Sequence, residues 1–145
     1  MKRLELPRAA TDAVNVAARE GYPYEICGAL VGYSDGTSAR VTRAVSFPNI
    51  AEETQRRRRF VIDPVLIMRL ERELRKTGEK LLGFYHSHPD HPAQPSATDM
   101  EYFRLWPGTV WVIVPVAKGE PGKGRAWWLE SADAAAAIEI ETIGL

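Results

Sequence analysis

The stretch Lys80-Leu81-Leu82-Gly83-Phe84-Tyr85-His86-Ser87-His88-Pro89, followed across a loop by Ser96-Ala97-Thr98-Asp99, decides how this chain folds. Lys80 to His86 has the length and apolar content of a buried strand. Residues i and i+2 of a strand share a face, so His86 and His88 project together if the strand runs to its end. Pro89 helps, because it holds the residue before it, His88, in extended backbone. Pro89, Pro92 and Pro95 make the segment 89–95 a loop. Ser96 to Leu105 then predicts a short helix, with Asp99 in its first turn.

Upstream, Asp63-Pro64 joins an N-cap residue to a proline at the first helical position. Leu66, Ile67, Leu70 and Leu74 supply the apolar stripe of the helix that follows, and Lys76-Thr77-Gly78 ends it. Phe60-Val61-Ile62 reads as a short strand ahead of that cap. Nearer the N-terminus, Leu4 to Leu6 reads as a strand. Pro7 to Arg19 reads as a helix with Ala10, Val14 and Ala17 at helical spacing, stopped by Gly21-Tyr22-Pro23. Ile26–Tyr33 and Arg40–Phe47 form a hairpin around Ser34-Asp35-Gly36, and Pro48-Asn49 opens a polar loop. Downstream of the helix, Pro107-Gly108 turns the chain into a buried strand over Val110–Val116. A turn region at Gly119–Gly124 separates it from strands at Ala126–Glu130 and Ile138–Ile143, with a small helix or turn at Ser131–Ala137 between them. Hairpins interrupted by helix-containing crossovers predict an α/β fold, a single mixed β-sheet with helices packed on its faces.

A chain of 145 residues fits one domain, residues 1–145, with enough core to dispense with disulfides. Its 19 basic residues are balanced by 19 acidic ones, so bulk charge points to neither nucleic acid nor a membrane surface. Cys27 is the single cysteine, which excludes an internal disulfide and any multi-cysteine metal site. No apolar run follows Lys2-Arg3, and none along the chain approaches the length of a bilayer span. The expectation is a soluble cytoplasmic protein.

His86, His88 and Asp99 can meet at one point if a strand carries the first two and the next helix carries the third. Two imidazoles and one carboxylate leave the fourth position of a tetrahedral ion open, the arrangement of a catalytic rather than a structural zinc site. Each part also has a plainer reading. His-x-His can be a polar strand end, and Ser96-x-x-Asp99 also spells a capping box. Capping and metal chemistry are compatible, since Ser96 can hold the helix start while its hydroxyl faces the metal. Asp90 and His91 are rival ligands, discounted because loop residues are less firmly fixed. The H-E-x-x-H pattern of thermolysin-like zincins and the cysteine-bearing signature of zinc deaminases are absent. Cys27, in an apolar strand, reads as a packing residue, with a place lining the site as the functional alternative. Arg56-Arg57-Arg58-Arg59 is the one local concentration of charge; it is either a solvated loop or a surface that attracts an acidic partner.

Written as H-x-H-x10-D with serine three residues before the aspartate, His86, His88, Ser96 and Asp99 resemble the JAMM motif of the MPN-plus zinc metalloproteases, in their small prokaryotic form. Tyr24-Glu25-Ile26-Cys27-Gly28-Ala29-Leu30-Val31-Gly32 is similar to the upstream glutamate segment of that family. The likeness takes in Arg59-Phe60 to Asp63-Pro64, Gly83-Phe84-Tyr85 and the apolar strand after Pro107-Gly108. It covers the chain from about Gly21 to Val116, with no departure at a motif position.

The resemblance implies a cytidine-deaminase-like (MPN) sandwich and hydrolysis of peptide or isopeptide bonds. It implies one zinc ion per chain held by His86, His88 and Asp99, with Glu25 as general base and Ser96 as oxyanion donor. The role of Glu25 rests on this resemblance alone, since a glutamate ahead of a strand is ordinarily just solvated. Implied substrates are ubiquitin-like or sulfur-carrier proteins, cleaved after a C-terminal Gly-Gly tail that could add as a strand to a sheet edge near the metal. The 46 residues after Asp99 leave little room for the insertions with which linkage-specific deubiquitinases hold a second ubiquitin. Two other readings stand beside it: a catalytically silent scaffold of the same fold, and a small-molecule amide hydrolase. The sequence leaves a homodimer open.

Overall fold

The computed structural model describes residues 1–144. Along the chain run β1 (Arg3–Glu5), α1 (Arg8–Gly21), β2 (Cys27–Ser34), β3 (Ser38–Phe47), a 3-10 turn (Glu53–Gln55), α2 (Pro64–Thr77), β4 (Lys80–Pro89), α3 (Ala97–Phe103), β5 (Thr109–Ala117), β6 (Glu120–Pro121), β7 (Arg125–Leu129) and β8 (Ile138–Ile143). The strands form one mixed sheet in the order β4-β2-β3-β1-β8-β7-β5-β6, and β4 also pairs with β5, so the sheet closes on itself. The closing ladder is parallel, from Gly83 opposite Val110 to Pro89 opposite Val116, and α3 lies in its crossover. Strand and helix patterns predict the elements but not this closure, which depends on how far the sheet coils.

The sheet separates two apolar cores. Leu30, Tyr85, Val112 and Val114 pack with Ala10, Val14 and Ala18 of α1. Ala29, Phe84, Trp111 and Ile113 pack on the other side with Ile67, Leu70 and Leu74 of α2 and Phe103 of α3. The spacing of the two long helices is close to the expected one, with Ala18 buried where the pattern favoured Ala17, and Leu66 only half-buried. Asp63 caps α2 as its sequence predicts, its carboxylate accepting from Val65 N at 2.9 Å. Gly78 ends the helix at φ 79°, a left-handed conformation that suits glycine.

Phe60-Val61-Ile62 is not a strand. The segment is extended and buries Phe60 and Ile62 in the second core, but its backbone joins no ladder. Val61 N donates to the Asn49 side chain at 3.1 Å and Ile62 N to the Tyr102 hydroxyl at 3.3 Å. Side chains have taken the donors that a neighbouring strand would need.

β4 runs beyond His86 to Pro89, so both histidines lie inside a ladder rather than at a frayed end. An irregularity in its pairing with β2, between Leu30 and Val31, displaces one residue of β4. Leu82 consequently faces the α1 core, while Phe84, and with it His86 and His88, faces α2 and α3. Gly83 is required there, since a Cβ would lie 1.8 Å from the Val110 carbonyl oxygen.

Candidate metal centre

His86 and His88 leave β4 on the face turned toward α3, and Asp99 enters from the first turn of that helix. His88 Nε2 lies 2.8 Å from Asp99 Oδ2, His86 Nε2 lies 3.2 Å from Asp99 Oδ1, and the two Nε2 atoms are 3.1 Å apart. His86 is fully buried, and Asp99 and His88 nearly so. The three residues expected to share a site are therefore brought together, and among the described residues theirs is the group whose donor atoms could hold a metal ion.

The hydrogen-bond pattern tests whether a cation fits. His88 Nδ1 sits 2.7 Å from the Pro92 carbonyl oxygen. A carbonyl only accepts, so Nδ1 carries the hydrogen and a neutral His88 presents a bare Nε2 lone pair to the centre. His88 Nε2 faces an Asp99 oxygen and His86 Nε2, and a cation at their meeting point would be held by all three atoms. Charge states agree. Burial pushes the His86 imidazole below its usual value despite the pull of Asp99, which keeps it neutral. Burial alone would raise Asp99, but the two histidines more than reverse this and hold it ionised. Two imidazoles and one carboxylate form a donor set suited to zinc. Phe60 stacks 4.5 Å from the His86 ring, and Phe103 and Trp111 wall its other sides, so the ligand cannot rotate away.

The capping box and the cluster coexist. Ser96 Oγ accepts from Asp99 N at 3.0 Å, while Asp99 Oδ2 accepts from Ser96 N at 3.0 Å. Capping uses an acceptor site of the Ser96 hydroxyl and leaves its hydrogen free to donate. The exposed Ser96 looks into a cleft of about 510 Å³ lined also by Glu25, His88, His91, Pro92 and Arg58.

Glu25 reaches that cleft from the segment just before β2. It is 5% exposed, and its Oε1 has no hydrogen-bond partner. Burial, reinforced by the charge of Asp99, pushes its carboxyl up to about 9. Its backbone is anchored on three sides: Glu25 N donates to Arg56 O at 2.7 Å, Glu25 O accepts from Asn49 Nδ2 at 2.9 Å, and Ile26 N donates to Ser87 Oγ at 2.9 Å.

Ser87 and Asn49 are supporting residues that sequence reasoning missed. Ser87 is the residue between the two histidines, so period two turns it to the opposite face, where it ties Glu25's segment to β4. That signal was present in the strand pattern. Asn49 carried only the signal of a turn. Its side chain uses all its hydrogen-bonding capacity: Nδ2 donates to Glu25 O and Arg59 O, and Oδ1 accepts from Ala51 N and Val61 N.

The rival ligands fall away. Asp90 faces elsewhere, accepting from the Tyr22 hydroxyl at 2.7 Å and Lys118 N at 2.9 Å. His91 is exposed on the cleft wall and outside the cluster. Cys27 is buried opposite His86 across the β2–β4 ladder, and burial pushes its thiol up to about 12, the state of a packing residue rather than a nucleophile. β5 pairs with β4 through both histidines, while the β2 ladder reaches only as far as His86, beyond which Ser87 N donates to Ile26 O.

Comparison with known proteins agrees with this geometry. The model of a family described as prokaryotic homologs of the JAB domain matches residues 7–130. A desampylase of Haloferax volcanii is 38% identical over 115 residues, which cover 77% of this chain and 79% of the relative. A probable TtuB-protein conjugate cleaving protease of Thermus thermophilus is 28% identical over 101 residues, covering 70% of this chain and 64% of that protein. A solution structure from Desulfitobacterium hafniense superposes with a TM-score of 0.79 at 30% identity, covering 97% and 91% of the two chains.

Proposed function

The chain belongs to the family of prokaryotic homologs of the JAB domain, and from that premise we propose that it is a zinc-dependent peptidase that hydrolyses the peptide or isopeptide bond after the C-terminal Gly-Gly of a ubiquitin-like or sulfur-carrier protein. Residues 1–145 act as one catalytic domain, and we read its layers as a cytidine-deaminase-like sandwich. The observation that carries the proposal is the convergence of His86 Nε2, His88 Nε2 and the Asp99 carboxylate at one point, with His88 opening onto a cleft that Glu25 and Ser96 also line. The relatives named for removal of such conjugates support the choice of substrate class.

His86, His88 and Asp99 would hold one zinc ion. Bound there, zinc polarises a carbonyl and lowers the pKa of a water toward about 7. Glu25 is the general base: its carboxylate takes the proton of the attacking water and returns it to the departing nitrogen. Burial gives Glu25 the proton affinity a base needs, and a cation in the neighbouring cluster favours its ionised form. Ser96 donates its free hydroxyl hydrogen to the developing oxyanion, an interaction whose loss typically costs about 2.7–4 kcal/mol of barrier. Asn49 and Ser87 fix Glu25's backbone against the cluster. The extended tail lies along the loop and side-chain walls of the cleft, with glycine adjacent to the scissile bond because the floor is crowded by the buried cluster. All of these residues come from one chain, so a dimer has no part in the reading.

The test is incubation of the zinc-loaded protein with a carrier that bears a short peptide after Gly-Gly, followed by intact-mass measurement. Trimming to Gly-Gly that stops on chelation is expected. Absence of trimming by protein holding one zinc per chain would refute the assignment. His88→Ala should bind well under one zinc per chain; full zinc content in that variant would remove His88 from the ligand set.

A further inference from the structure

We propose that Arg57, Arg58 and Arg59 form a docking rim for an acidic face of the carrier protein, continuous with the cleft that holds the scissile bond; this rests on the functional reading above. The three side chains are exposed and, among the described residues, form no ion pair. Arg3, Arg19, Arg40, Arg43 and Arg125 each meet a glutamate, and among the described residues Arg8, Arg69, Arg72, Arg75 and Arg104 do not; Arg57, Arg58 and Arg59 differ from those in being consecutive and in bordering the cleft. Glu52 and Glu53 belong to the same loop and are exposed, yet they leave the three guanidinium groups unpaired.

Position gives the unpaired charge a use. Arg58 lines the metal cleft with Glu25, His88 and Ser96. All three arginines line the groove that adjoins it, and Thr98 belongs to both. The loop is held in place by backbone bonds to the machinery: Arg56 O accepts from Glu25 N, Arg59 O accepts from Asn49 Nδ2, and Arg58 N donates to Gln55 O at 3.0 Å. Arg56 itself turns inward, its Nε donating to Ala51 O at 2.7 Å, so it acts as the anchor while its three neighbours point charge outward. A fixed group of three cations beside a reaction cleft steers and orients an anionic partner. Carboxylates of a folded protein fit better than a nucleic acid, because the patch is three residues long on a chain of zero net charge, too little to follow a phosphate backbone.

The experiment measures steady-state cleavage of two carriers with identical Gly-Gly extensions, one with an acidic surface and one with its Asp and Glu residues near the tail changed to Asn and Gln. The zinc-loaded wild type is compared with R57A/R58A/R59A at low and high salt. An exposed pair of charges on α2 serves as the control for lost charge, in the variant R72A/R75A. For the acidic carrier the triple variant should lose about tenfold in kcat/KM, at the low end of what steering supplies, with the loss in KM and its salt dependence flattened. The neutralised carrier should not distinguish the two proteins, and R72A/R75A should behave as wild type. If the triple variant does not fold, R57A and R59A singly should each show a two- to threefold loss of the same kind, roughly the effect of one exposed charge. A triple or single variant that keeps the wild-type KM and salt slope overturns this inference alone. A wild type that cleaves neither carrier overturns the functional reading, and the docking rim with it.

Discussion

Replacing Glu25 by Gln should stabilise the metal-free protein while abolishing turnover. In the fold the Glu25 carboxyl is raised to about 9 from an ordinary 4.5. The sign follows from linkage. The folded state keeps the proton between those two values while the unfolded state releases it, so stability is full below about pH 4.5 and falls as pH rises toward 9. At pH 7.5 the gap amounts to about 3 pH units, and at 1.36 kcal/mol each the carboxyl costs about 4 kcal/mol of stability. Glutamine has no proton to lose. It is nearly the same shape, and at Oε1 there is no hydrogen bond for it to forfeit. At roughly 2–4 °C per kcal/mol for a domain of this size, chelated Glu25→Gln should melt on the order of 10 °C above chelated wild type at pH 7.5. The two should converge toward pH 5. Zinc should narrow the difference, because a cation beside Glu25 favours its ionised form. Thermal melts of both proteins across pH 5–8.5, with chelator and with zinc, measure all of this. If chelated wild type and Glu25→Gln show the same pH slope, Glu25 is not the buried, proton-holding group described above. If the variant retains wild-type turnover, it is not the base.

Three further outcomes follow from the geometry. Asn49→Ala removes four hydrogen bonds, so denaturant melts should show about 2–4 kcal/mol lost. Zinc content should stay at one per chain while kcat falls, because Glu25 is displaced and the ligands are not; unchanged kcat would remove Asn49 from its positioning role. Ser96→Ala should cost about 1 kcal/mol from the lost cap and about 10²–10³ in kcat, with zinc retained; a rate loss below tenfold would mean that Ser96 only caps. Cys27, buried and raised to about 12, should resist thiol reagents at pH 8 in the native protein and react fully in denaturant. Rapid labelling of native protein would place the thiol in an open site.

The ligands could be read from the sequence because their geometry is local. Two side chains at i and i+2 of a strand must share a face, and a helix that opens with a capping box must present its third residue at the first turn; no knowledge of distant chain segments is needed to bring His86, His88 and Asp99 into one neighbourhood. Glu25 is different in kind. It lies 61 residues before His86, and nothing periodic connects them; only the β2–β4 ladder, in which Cys27 faces His86, carries Glu25 to the cleft. Family resemblance supplied that pairing where spacing could not. The same distinction explains Phe60-Val61-Ile62. Its extended, apolar character is a local property and was correctly read. Its exclusion from the sheet depends on Asn49 and Tyr102, side chains from elsewhere that capture its backbone donors. Closure of the sheet is the most distant consequence of all, because the parallel β4–β5 ladder depends on the summed twist of strands from both ends of the chain.

Closure also bears on how a substrate is met. An open sheet would offer β4 an edge, and a Gly-Gly tail could pair with it as one more strand. Here β5 pairs with β4 through both histidines and β2 as far as His86, so most of the main-chain pairing that β4 could offer is already taken. Recognition shifts to the loops that border the cleft, from Gln94 to Thr98 on one side and the arginine segment on the other. Those loops are held by single side chains: Asn49 ties the arginine segment to Glu25, and Trp127 Nε1 donates to Ala93 O at 3.0 Å to fix the opposite wall. Loop walls pinned this way can hold a narrow, flexible tail in position for Glu25 and Ser96. They offer little surface for a folded partner, which must then be gripped by something outside the cleft. The unpaired arginines are the charged surface nearest to that need.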